Sequence, residues 1–208
     1  SVEIAVEHES HIDPAYVKSE LDRNGLVAGT FCGAFGPGRD LRGTPEEQQA
    51  CLDYVHKLID MMGILDSPVL VGPIYSAVGR AEFVPEKERR AQWKQVVKHL
   101  KTLCKYAEKK KKMIALEPLN RFETDFINTC DQAIQMIQDV GSSALSIHLD
   151  TFHMNIEEKE PAKAIRRAGK MLGHFHACGS DRGTPGNDHI HWKSIAKALK
   201  KIHYRGDV

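Results

Sequence analysis

Hydrophobic and polar positions alternate between two periods along this chain. Short apolar or β-branched runs at residues 2–6, 26–32, 69–72, 113–116, 145–149 and 172–177 each predict a strand. Between them, apolar positions recur at helical spacing and predict helices over 14–23, 45–62, 86–111, 130–140, 161–168 and 192–202. Start signals support these limits. Asp13 precedes Pro14, an N-cap followed by proline at the first helical position. Thr44 and Glu47 have the spacing of a capping box. In the longest helix Trp93, Val96, Val97, Leu100, Leu103, Cys104 and Ala107 form one stripe, read as a core face.

Strand and helix alternating about six times predict a parallel sheet covered by helices. An open, doubly wound sheet would normally carry a glycine-rich phosphate loop after an early strand. The run Gly33-Ala34-Phe35-Gly36-Pro37-Gly38 is glycine-rich but leads into Arg39-Asp40-Leu41-Arg42-Gly43, so it reads as a plain loop. A barrel instead puts chemically capable residues at the C-terminal ends of several strands. The run 113–116 ends in Glu117, the run 145–149 in Asp150, and the run 172–177 carries His174 and His176. The expected fold is therefore an α/β TIM (β/α)8-barrel, with residues 1–208 as a single, incomplete domain.

Glu117, Asp150 and His176 offer carboxylate and imidazole donors without thiolate, a set suited to Mn2+, Mg2+, Co2+ or Zn2+. Buried together, acids at successive strand ends are unfavourable unless a cation compensates them. His174 shares a strand face with His176, since side chains alternate with period two, and is read as a core histidine.

Composition narrows the partners. With 29 Lys plus Arg against 28 Asp plus Glu, the net charge of +1 gives no reason to expect nucleic acid. The basic run Lys109–Lys112 reads as a solvated helix end. Five scattered cysteines without a CxxC argue against a disulfide framework or a structural zinc site, and fit a cytoplasmic location. No apolar run approaches the ~20 residues of a membrane helix.

Three segments, Leu116 to Thr129, His148 to Glu158 and Gly173 to Gly186, resemble the D-tagatose 3-epimerase and D-psicose (D-allulose) 3-epimerase family of xylose-isomerase-like barrels. The similarity is densest from Leu116 to Trp192 and weaker upstream, around Val71 to Ser76. The resemblance implies that the chain covers about strands 2 to 7 of eight and lacks the first and last units. It implies a single divalent metal, Mn2+ foremost, held by Glu117, Asp150 and His176, with Glu117 also a catalytic acid/base. Glu123, His153 and Arg182 would bind the sugar. For His153 a supporting role behind Asp150 stays open, and for Arg182 pairing with Asp181. A fourth ligand, a Glu that is also the second catalytic base, is expected beyond Val208, after the turn Tyr204-Arg205-Gly206.

The expected activity is C3 epimerisation of a ketose through a cis-enediolate, in a homo-oligomer. A related aldose–ketose isomerase or polyol dehydratase would use the same groups. An abasic-site endonuclease would need more histidine ligands and a basic face. A non-catalytic sugar-binding barrel would not need the acids.

Overall fold

The computed structural model describes residues 1–208. Its elements run in the order β1 (Val2–Ala5), α1 (Pro14–Arg23), β2 (Ala28–Cys32), α2 (Pro45–Ile64), β3 (Val69–Gly72), α3 (Glu86–Lys109), β4 (Met113–Leu116), α4 (Cys130–Val140), β5 (Leu145–Asp150), α5 (Thr151–Glu157), α6 (Pro161–Ala168), β6 (Leu172–His176) and α7 (Trp192–Lys201). The six strands are all parallel and pair in sequence order, β1 to β6. Each crossover therefore returns the chain to the same end of the sheet, as in a barrel. The sheet curls into part of a barrel. Glu3 on the first strand and His176 on the last come within 3.1 Å of each other across the interior.

Local chemistry sets the helix limits. The Asp13 carboxylate accepts the N–H of Ala15, and Thr44 and Glu47 close the capping box of α2. Thr129 and Gln132 repeat that box at α4, which ends on Gly141 with φ 66°. In α3, Val96, Leu100, Leu103, Cys104 and Ala107 are buried, while Trp93 and Val97 pack at the edge of the core. Lys109, Lys110 and Lys111 are exposed, as a solvated helix end requires.

The sheet has two different faces. Leu70, Ile114, Leu116 and Ile147 point outward and join α2, α3 and α4 in a core of 42 buried residues. The concave face carries smaller apolar groups, Val69, Val71 and Ala115, in a separate cluster with Cys32. From the same face rise the polar residues of β1, β5 and β6. At the rim, an ideal Cβ on Gly72 would lie 2.1 Å from the Gly33 carbonyl oxygen, and φ is +127°. Only glycine lets β2 and β3 leave the sheet this close together.

Three expectations need correction. Residues 26 and 27 are not in a strand; Leu26 and Val27 are exposed and β2 starts at Ala28. Helix α3 stops two residues short of 111, where Lys111 takes a left-handed φ of 56°. Residues 151–157, expected only as a strand-end motif, form α5 directly on the end of β5. Its start is fixed by Asp150, whose Oδ1 accepts the N–H of Phe152 at 2.7 Å.

Candidate metal centre

Glu117, Asp150 and His176 follow or end β4, β5 and β6 and converge at the C-terminal rim, each with a donor atom within 4.8 Å of the others. Backbone contacts fix their positions. The N–H of Glu117 donates to the Gly72 carbonyl at 3.0 Å, and the hydroxyl of fully buried Tyr75 donates to the Glu117 carbonyl at 2.9 Å. Asp150 is the register partner of His176, and its Oδ2 lies 3.8 Å from His176 Nδ1. Both carboxyls are buried.

The electrostatics of this group are strained. Burial, then the charge of Asp150, raises the pKa of Glu117 to about 8. Burial opposes charge on His176, but the carboxylates of Asp150 and Glu3 outweigh it and raise the ring to about 10. Protons thus stand where a cation would serve better. Two buried carboxylates and one imidazole within 4.8 Å fit a hard to borderline divalent ion, so the donor set passes the test of its chemistry.

The other three candidates lie above this group. His153, on the first turn of α5, accepts the backbone N–H of Asn120 on Nδ1 at 3.1 Å, so its Nε2 carries the proton toward Glu117 Oε1, 3.7 Å away. Burial lowers its pKa and keeps the ring neutral. Arg182 pairs with Glu123 at 2.6 Å, not with Asp181, and its guanidinium stacks 4.2 Å from the Phe152 ring. Asn120 Nδ2 also donates to Glu123, at 2.8 Å. All six candidates therefore form one continuous patch.

Two residues of the interior were not singled out by the sequence. Glu3 accepts hydrogen bonds from Thr30 at 2.7 Å and from His176, and lies 3.5 Å from His174. These contacts outweigh burial and hold its carboxyl well below the usual range. His148, wholly buried, lies 3.6 Å from Glu117. Both carried a signal. Glu3 is the polar member of an apolar strand, and His148 precedes Asp150 by two residues, hence on the same face. His174 is indeed buried, but as part of a histidine cluster with a carboxylate beside it.

Six parallel strands in a curled half-barrel, with carboxylates and a histidine gathered on the C-terminal rim, define a partial α/β barrel of the TIM type. The family model described as "Xylose isomerase-like TIM barrel" matches residues 2–207, and the chain belongs to that family. It is 36% identical over 162 residues to a D-psicose 3-epimerase of Enterocloster bolteae, covering 78% of this chain and 54% of that protein. It is 36% identical to a probable ketose 3-epimerase of Synechocystis sp., over 99% of this chain and 71% of that one. Among solved structures, D-allulose 3-epimerase from Methylomonas sp. in complex with D-allulose superposes with a TM-score of 0.92 at 33% identity. That match covers 98% of this chain and 70% of the other. The chain thus spans 54% to 71% of the length of these relatives.

Proposed function

We propose that this chain forms the larger part of a divalent-metal-dependent ketose 3-epimerase. The observation that carries the reading is the meeting of Glu117, Asp150 and His176 at the strand ends, two buried carboxyls and one imidazole with donor atoms within 4.8 Å of one another. The relatives' names supply the reaction class.

In this reading Glu117, Asp150 and His176 hold the ion, with Mn2+ favoured and Co2+, Mg2+ or Zn2+ accommodated. When bound, the ion supplies charge stabilisation for a ketose carbonyl and its enediolate. Glu117 moves the proton at C3. Ligation to the ion would hold its buried carboxyl ionised and positioned, so that it can act as base near neutral pH. Glu123 and Arg182 hold each other at 2.6 Å and present a paired acceptor and donor to sugar hydroxyls. His153 presents its Nε2 proton beside Glu117, where an oxygen next to the reacting carbon would sit. Inversion without turning the sugar over needs a second acid/base on the opposite face. The resemblance assigns that role to a carboxylate after the turn at Tyr204-Arg205-Gly206. Residues 1–208 are read as one domain, and self-association is carried over from the resemblance. All five cysteines are free, as suits a reducing compartment. No helix is long and apolar enough to cross a membrane.

The test is C3 epimerisation of D-fructose, D-psicose and D-tagatose by the complete protein, with Mn2+ or Co2+, with EDTA, and with Glu117→Gln. Metal-dependent interconversion lost in the variant supports the reading. No turnover by a folded, metal-loaded protein would sink it.

A further inference from the structure

Below the rim group lies a second set of donors. His148 and His174 are register partners on β5 and β6, two residues before Asp150 and His176. At ~3.3 Å per residue, they sit roughly 7 Å deeper along the strands. The ligand atoms of His148, His174 and His176 lie within 4.8 Å of one another. The rings meet edge to face, with centroids 5.0 Å apart for His148 and His174 and 4.1 Å for His148 and His176.

Two observations separate this set from ordinary core packing. His148 is fully buried, yet neither ring nitrogen has a hydrogen-bond partner. A buried polar group is normally satisfied, so an orphaned ring aimed into a cluster of donors marks a missing partner. The carboxylate of Glu3 also enters the cluster, 3.5 Å from His174 Nε2 and 3.1 Å from His176 Nε2. Three imidazoles and one carboxylate are four donors from three different strands.

We propose that His148, His174 and His176, with Glu3 as the fourth donor, form an inner cation site that takes Zn2+ or Co2+ in competition with the rim group. The donor set decides the ion. Nitrogen-rich, four-coordinate sites suit Zn2+ and Co2+, whereas two carboxylates and one imidazole suit harder ions. His176 belongs to both sets. Its Nδ1 faces Asp150 and its Nε2 faces Glu3, so the neutral ring serves one ion at a time. An ion in the inner site therefore withdraws His176 from the rim, and Zn2+ displaces Mn2+ without ever occupying Mn2+'s position.

Cobalt binding tests this without reference to turnover. Asp150→Asn disables the rim group while keeping the cap on α5. With Co2+ alone as the probe, this variant should still bind one ion and show the intense visible bands of a tetrahedral, nitrogen-rich centre. Adding His148→Phe should weaken that binding by at least about 100-fold, the upper end for loss of a supporting group. His148→Gln carries the same test if the phenylalanine variant does not fold by circular dichroism. Loss of the cobalt spectrum in folded Asp150→Asn overturns the proposal. So does an unchanged spectrum and affinity after His148 is replaced, which would leave Glu3 as no more than a prop for His176. Neither result bears on whether the rim group supports epimerisation.

Discussion

This chain buries charge in two places, and it treats them differently. In the loops after β2, β3 and β4, Asp40 and Asp125 meet Arg42, Arg80 and, from α3, Arg89. Arg42 Nη1 donates to Asp125 at 2.8 Å, Arg80 Nη1 to Asp40 at 3.0 Å, and Arg89 pairs with the other Asp125 oxygen. The Arg42 and Arg89 guanidinium groups also stack on the Phe126 ring, at 4.9 and 5.4 Å. Acids there are matched by fixed cations, and Asp125 is held below its ordinary pKa because Arg89 and Arg42 outweigh its burial. At the rim, Glu117 and Asp150 pair only with histidines and face other carboxylates, and Glu117 is driven the other way. In the first network the chain itself supplies a fixed cation to each acid. In the second, no arginine or lysine pairs with either carboxyl, and that asymmetry separates a structural charge cluster from a candidate binding site.

Removing one member of each network should break the symmetry of outcome. Asp125→Ala leaves Arg42 buried beside a lost partner and should cost about 3–5 kcal/mol in denaturant unfolding at pH 7. Because the folded pKa of Asp125 is depressed, its contribution is full above about 3.8 and fades as pH falls through the folded value. The gap between parent and variant should therefore close in acid.

Glu117→Gln should do the reverse in metal-free protein. Its folded pKa of about 8 lies above the ordinary 4.5, so the carboxyl opposes folding increasingly as pH rises between those values. The variant should gain about 3 kcal/mol at pH 7 and lose that pH dependence. In the complete enzyme, the same change should lower turnover by about 10²–10⁴. A variant more stable but inactive would sharpen the contrast; one that is less stable would remove it.

Metal addition gives a smaller effect with the same logic. Saturation with Mn2+ at about 100 times its Kd should raise stability by ~2.7 kcal/mol. Uptake should also release protons at pH 7, since Glu117 and His176 both hold them in the metal-free state. Calorimetry in two buffers of different ionisation enthalpy reads the number released. Zero protons would mean that the ion binds elsewhere.

The rim was legible in the sequence because strand ends are punctuated. A run of apolar residues that stops at Glu117 or Asp150 announces the residue where the strand reaches the barrel mouth. Helices α1, α4 and α6 were legible to the residue from their apolar spacing, with Asp13 marking the start of the first. Helix α5 was not, because the chain passes from strand to helix without a loop and Asp150 serves both as strand end and as cap. The inner layer was harder still. Glu3 and His176 are 173 residues apart, and only the curl of six strands brings them together. Strand alternation tells which face a side chain takes, but not how tightly that face will close.

The cap on α5 has a further consequence. Asp150 gives one oxygen to the Phe152 N–H and leaves the other toward His176. Its side-chain torsions are therefore frozen when the helix forms, before any ligand arrives. The rotational entropy that a free carboxylate would lose on binding has already been lost in folding. In the proposed metal site, Asp150 would therefore meet an ion as a rigid ligand, already oriented by the fold.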